Sequence, residues 1–80
     1  MMYAEKIEKL ENEIQEIKKY IKADKKEIKK REKILSMIAN NNMVIDNDIE
    51  FEIKMYKEEI EKFTNELKTR KQLVKNYKKL

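Results

Sequence analysis

The sequence predicts an all-α fold, a two-helix antiparallel coiled-coil hairpin that dimerises into a four-helix bundle. Three observations predict it. The 80 residues contain no glycine and no proline, while charged residues make up 45% and hydrophobic residues 40%. Apolar residues recur with the 3.5-residue period of a coiled coil in two separate series. A run of asparagines separates the two series. Sheets and barrels rely on glycine and proline at their turns, whereas charge alternating with aliphatics is the composition of long helices. The charge is also high enough to suggest disorder, but regular apolar spacing argues against that.

The first series runs Tyr3, Ile7, Leu10, Ile14, Ile17, Ile21, Asp24, Ile28, Arg31, Leu35, Ile38. Its steps alternate between four and three, which defines the a and d positions of a heptad. Ile7, Ile14, Ile21, Ile28 and Leu35 occupy a. Tyr3, Leu10, Ile17, Asp24, Arg31 and Ile38 occupy d. The first helix is therefore expected over about residues 2–39.

The asparagine run is Asn40-Asn41-Asn42. Asparagine is a poor helix former, tolerates left-handed backbone and can stand in for glycine at helix ends. A turn is expected over about 40–46. Asp46, Asn47 and Asp48 then offer caps for a second helix, and Asn47 with Glu50 resembles a capping box. Acids in that first turn suit the helix dipole.

The second series runs Ile49, Ile53, Tyr56, Ile60, Phe63, Leu67, Arg70, Val74, Tyr77 and places the second helix at about 47–79. Ile53, Ile60, Leu67 and Val74 occupy a; the others occupy d. The two series are out of phase. A stutter in one continuous coiled coil would also absorb that shift. Residues 49–55 alternate apolar and polar, as a half-buried strand would, and 44–55 could form a small β-hairpin. The heptad running on through Tyr56 and Ile60 favours helix.

Charge favours the hairpin over one long helix. Residues 1–17 carry net −3, residues 18–33 net +6, residues 34–67 net −5 and residues 68–80 net +6. Folding back at the asparagines sets each basic block beside an acidic one. The whole chain is read as a single helical-hairpin domain, 1–80.

A lone hairpin has one seam and no closed core, and small scaffolds without disulfides or metals gain burial by oligomerising. Tyr20, Ile34, Leu73 and Leu80 fall at g positions and would widen the apolar stripe. A homodimer of hairpins is expected. Asp24, Arg31 and Arg70 are the polar residues of the seams and the candidates for specificity, since buried polar groups can set register or partner choice. The arginines have the plainer option of snorkelling out; Asp24 is too short for it.

Catalytic chemistry has little to work with. The absence of cysteine and histidine removes thiolate chemistry, the commonest general base and the commonest metal ligand. The absence of glycine removes a glycine-rich phosphate loop. No catalytic, cofactor-binding or metal-ligating residue is nominated, and no cofactor is expected. Carboxylates such as Glu58, Glu59 and Glu61 read as solvated surface. No apolar run can span a bilayer and no signal-peptide core is present, so a cytoplasmic protein without membrane contact is expected.

Two surfaces remain. Ile34, Met37, Met43, Val44, Phe51 and Met55 gather toward the turn and are the candidates for docking on a protein partner. Capping the turn or closing the dimer would use the same residues. The second surface is basic: Lys18, Lys19, Lys22, Lys26, Lys29 and Lys30 on the first helix, Lys71, Lys75, Lys78 and Lys79 on the second. Such stripes can follow phosphates, although lysine-rich helix faces usually serve solubility.

In architecture, this pattern resembles the Rop family of helical hairpins, which dimerise into four-helix bundles and bind RNA on one face. It also resembles the small helical adaptors, chaperones and host-enzyme inhibitors of phages and plasmids. The likeness is architectural and carries over no site residue. The expected function is a non-enzymatic coiled-coil interaction protein that docks on a protein partner as adaptor, inhibitor or scaffold. The alternative it implies is a Rop-like binder of RNA or DNA through its lysine faces.

Overall fold

A computed structural model describes residues 3–41 and 47–80. It contains two helices, α1 (Ala4–Asn40) and α2 (Asn47–Lys78), and no strand among the described residues. The alternating stretch from Ile49 to Met55 is helix. Its period-2 pattern lost to the longer heptad because only the helix carries Ile49, Ile53, Tyr56 and Ile60 to one stripe. The helices run antiparallel, since residues near the start of α1 meet residues near the end of α2. Tyr3 and Tyr77 have ring centroids 5.1 Å apart, and Arg31 bonds Glu52 on the opposite limb. The result is a rod of 62 × 14 × 14 Å.

Every a and d residue of both series within the helices is buried or half-buried. Ile7, Ile14, Ile17 and Ile28 of α1 and Ile53 and Val74 of α2 form its deepest apolar part. One cluster, Ile7, Ile14 and Val74, is wrapped by Tyr3, Leu10, Leu67 and Tyr77. No described side chain is fully enclosed. Two helices can cover each other along one stripe only, so each seam residue keeps an edge open to solvent.

The helix ends differ in detail from the expectation. Asn41 closes α1 without left-handed backbone: its φ is −99°. Its side-chain amide donates to the Met37 carbonyl at 2.8 Å, and its backbone N–H donates to Met37 and Ile38. The side chain thus gives the Met37 carbonyl a second donor beside the backbone N–H at the helix end. Asn47 is already helical rather than a cap, so it does not form the expected capping box. Asp46 and Asn42 lie outside the described residues.

Candidate functional site: the two sides of the hairpin

Residues flanking the seam at g and e fall on opposite sides of an antiparallel pair. The contacts establish which flanks meet. Glu27 (g of α1) and Glu52 (g of α2) both hold Arg31, whereas Glu11 (e of α1) meets Lys78 (e of α2) at 3.3 Å. One long side of the rod is therefore built from the g positions and their c neighbours, the other from e and b.

The g side carries two arginine clamps. Arg31 Nε donates to Glu52 Oε2 at 2.6 Å and its Nη1 to Glu27 Oε2 at 2.6 Å, with the guanidinium 4.8 Å from the Tyr56 ring centre. Arg70 Nε donates to Glu13 Oε2 at 2.9 Å and lies 3.9 Å from Glu66. Each arginine sits at d, with one glutamate four residues earlier and one across the seam. A shift of 39 positions carries one clamp onto the other: 31 to 70, 27 to 66, 13 to 52. The hairpin thus has an internal pseudo-twofold axis. These arginines do not simply snorkel into water; the acids of both helices come to them. Its hydrogen bonds to Glu52 and Glu27 hold the Arg31 guanidinium more firmly charged. The bond from Arg31, then the nearby Lys30, lowers the Glu27 carboxyl below its ordinary range.

The symmetry breaks at the centre. Tyr20 stacks on Phe63, with centroids 5.5 Å apart and 27° between planes. The same 39-residue shift maps Tyr20 to Glu59 and Phe63 back to Asp24, so the counterpart of the aromatic stack is a pair of acids. Asp24 is 7% exposed, and its Oδ2 has no hydrogen-bond partner. Burial, then a hydrogen bond and charge repulsion from Glu59, then the charge of Glu27, push its carboxyl up to about 6.

Six large hydrophobic residues of the helices are exposed: Tyr20, Ile34, Met37, Phe51, Met55 and Leu73. All but Phe51 lie at g or c, on the side of the clamps. Phe51 lies at f on the back of α2, one turn from Met55. Both line a shallow groove with Arg31, Glu52, Tyr56 and Glu59. A second groove, at the far end, is lined by Lys6, Leu10, Glu13, Leu73 and Tyr77. The apolar surface thus extends from the turn end along the whole rod. Met43 and Val44 lie outside the described residues, as does any part they take in it.

The e side is different in kind. Its e and b positions hold ten lysines against five glutamates and no large hydrophobic residue. Of the nominated lysines, Lys18, Lys22, Lys29, Lys71, Lys75 and Lys78 lie here, joined by Lys25, Lys54, Lys57 and Lys68. Lys19, Lys26 and Lys79 lie at f on the backs of the helices. Lys30 lies at c on the apolar side, 3.8 Å from Glu27. The lysines expected to form one basic surface are thus divided among the e side, the helix backs and the g side. The signal that separates them is their heptad letter, which acquires meaning once the antiparallel pairing joins e to e and g to g.

Among the described residues, no group of carboxylates is arranged to hold a metal ion, and no helix is long and apolar enough to cross a membrane. The fold and its surfaces define an antiparallel helical hairpin with one apolar side and one basic side. No family model, no curated protein and no solved structure matches the chain.

Proposed function

We propose that this chain is a non-enzymatic interaction protein of the cytoplasm, which docks through its g side on a protein partner and on a second copy of itself. The observation that carries this is the placement of five of six exposed large helical hydrophobics on one side. Exposed large hydrophobics gathered on one side and interspersed with charge suit a protein contact. Methionines at the turn end let it adapt to the partner's shape. Helix laid on helix, or helix in a groove, is the mode it suits, as an adaptor, inhibitor or scaffold would use.

Exposed area supports self-association. The chain exposes 6728 Å². A compact monomer of its mass, 9.8 kDa, would expose about 5,200 Å². The surplus exceeds the roughly 800 Å² per partner of a standard interface. Charge selects the side. The g and c positions carry seven acids and four lysines, and Arg31 and Arg70 turn toward them, leaving a net charge of −1. Two such sides can meet, giving a four-helix bundle; two e sides, each at +5, would repel.

The test combines sedimentation with photo-crosslinking. A benzoylphenylalanine at Tyr20 should yield a covalent dimer or a discrete partner adduct, and one at Thr64, on the e side, should not. A monomer that crosslinks nothing from position 20 would refute the reading.

A further inference from the structure

The hairpin's basic side calls for a different ligand. Lys18, Lys22, Lys25 and Lys29 of α1 lie alongside Lys54 and Lys57 of α2, all exposed, with Lys68 continuing the row. At the e and b positions this stretch holds Glu61, and Glu32 lies at its edge, one turn after Lys29 and opposite Lys57 in the register that joins Glu11 to Lys78. None of these seven lysines has an ion-pair partner within the hairpin among the described residues. Glu13, Glu27 and Glu52 are on the other side, engaged with Arg31 and Arg70. From Lys18 to Lys29 the row on α1 spans about 17 Å at 1.5 Å per residue. A rigid two-row array of that length faces several phosphates of a duplex, which carries one charge per about 1.7 Å of axis.

The surroundings of the lysines select among polyanions. A membrane-bound amphipathic surface carries large apolar residues beside its basic ones. Here they lie on the opposite side of the rod, so insertion would draw the lysines away from the headgroups. Single-stranded nucleic acid is held by aromatic residues on which bases stack. The e and b positions have none; Tyr20 and Phe63 stack on each other on the far side. Lysine offers a point charge without the planar fork that reads guanine edges. What remains is a surface matched to a regular phosphate backbone.

We infer that the e side of the hairpin, centred on Lys22, Lys25, Lys29 and Lys57, binds the phosphate backbone of double-stranded nucleic acid without reading its sequence. This site is opposite the apolar side, so a dimer closed through the g sides would present two such surfaces facing outward.

The experiment is fluorescence anisotropy of a labelled random-sequence duplex titrated with the full chain at several salt concentrations. Five lysines each neutralising one phosphate give a slope of log K against log salt of about −4.5. The Lys25→Glu/Lys57→Glu variant should bind at least tenfold more weakly. Lys9→Glu/Lys62→Glu, the same charge change on the g side, should bind within about twofold of the parent. Circular dichroism of each variant checks that the helices persist, and Lys25→Gln/Lys57→Gln should give an intermediate loss. A slope shallower than about −2, equal losses from the two sides, or tighter binding to a single strand would overturn the proposal. So would equal binding to vesicles of anionic lipid, which would make the surface a membrane contact.

Discussion

Asp24 and Glu59 bring two carboxyl groups together across the seam, at the place where the hairpin's pseudo-symmetry would put a second aromatic stack. The Asp24 carboxyl, buried in a mostly apolar stripe with the carboxyl of exposed Glu59 beside it, favours its protonated form. The consequence for stability has a definite sign. The folded carboxyl of Asp24 titrates near 6, above its ordinary 3.8. The protonated form is thus the one the fold accepts, and the penalty appears as pH rises from about 4 through 6. By neutral pH it is fully developed. Urea unfolding at fixed protein concentration should show the hairpin more stable at pH 5 than at pH 7.5. Glu27, whose carboxyl is lowered, acts in the opposite sense and loses its contribution in stronger acid. The optimum should therefore lie on the acid side of neutrality.

The same pair yields a substitution test. Asp24→Leu should raise stability at pH 7.5 by about 2 kcal/mol or more, since it removes a buried charge and completes the apolar stripe. It should also flatten the rise between pH 7.5 and 5. A variant no more stable than the parent at pH 7.5 would show that the acid pair is not under strain.

The arginine clamps should be coupled to their acids rather than merely exposed. Arg31→Ala leaves Glu27 and Glu52 facing each other and removes the stem that covers Tyr56. It should lower stability, and a double-mutant cycle with Glu52→Gln should return a favourable coupling between the two side chains. Arg31→Lys should recover only part, because one ammonium cannot span both carboxylates as the guanidinium does. The pseudo-symmetry extends this to Arg70, which is more exposed and has one long contact to Glu66; the loss there should be smaller.

Burial along the seam is graded, and substitutions should follow it. Ile14, 7% exposed within the deepest cluster, should lose about 2–3 kcal/mol on change to alanine. Leu73, at 39% exposure, should lose under about 1 kcal/mol as a monomer. A large loss at Leu73 that grows with protein concentration would be the mark of an interface through the g side.

Asn41 offers a test of how α1 ends. Its backbone is not left-handed, so Asn41→Gly gains nothing from glycine's freedom and forfeits the side-chain bond to Met37. Glycine and alanine should both lower stability, by roughly 0.5–1 kcal/mol, in thermal melts followed by circular dichroism.

Much of this fold is legible from residue order alone. Two heptad series, the asparagines between them and the absence of breakers already define two helices, and the structure places them at 4–40 and 47–78. The alternating charge blocks indicate antiparallel pairing, and Arg31 with Glu52, Arg70 with Glu13 and Lys78 with Glu11 are the pairs that realise it. Helical period is a local property, and long-range charge is a sum that needs no detailed geometry. By itself, then, the sequence determined the helices, their seams and their direction. Only the tertiary structure decided that Asp24 meets Glu59, that Tyr20 meets Phe63, and that lysines and exposed hydrophobics part to opposite sides. Heptad letters locate a residue on its own helix. Which flank it shares with a residue of the other helix depends on the stagger between them, and that is settled by the packing of both seams at once.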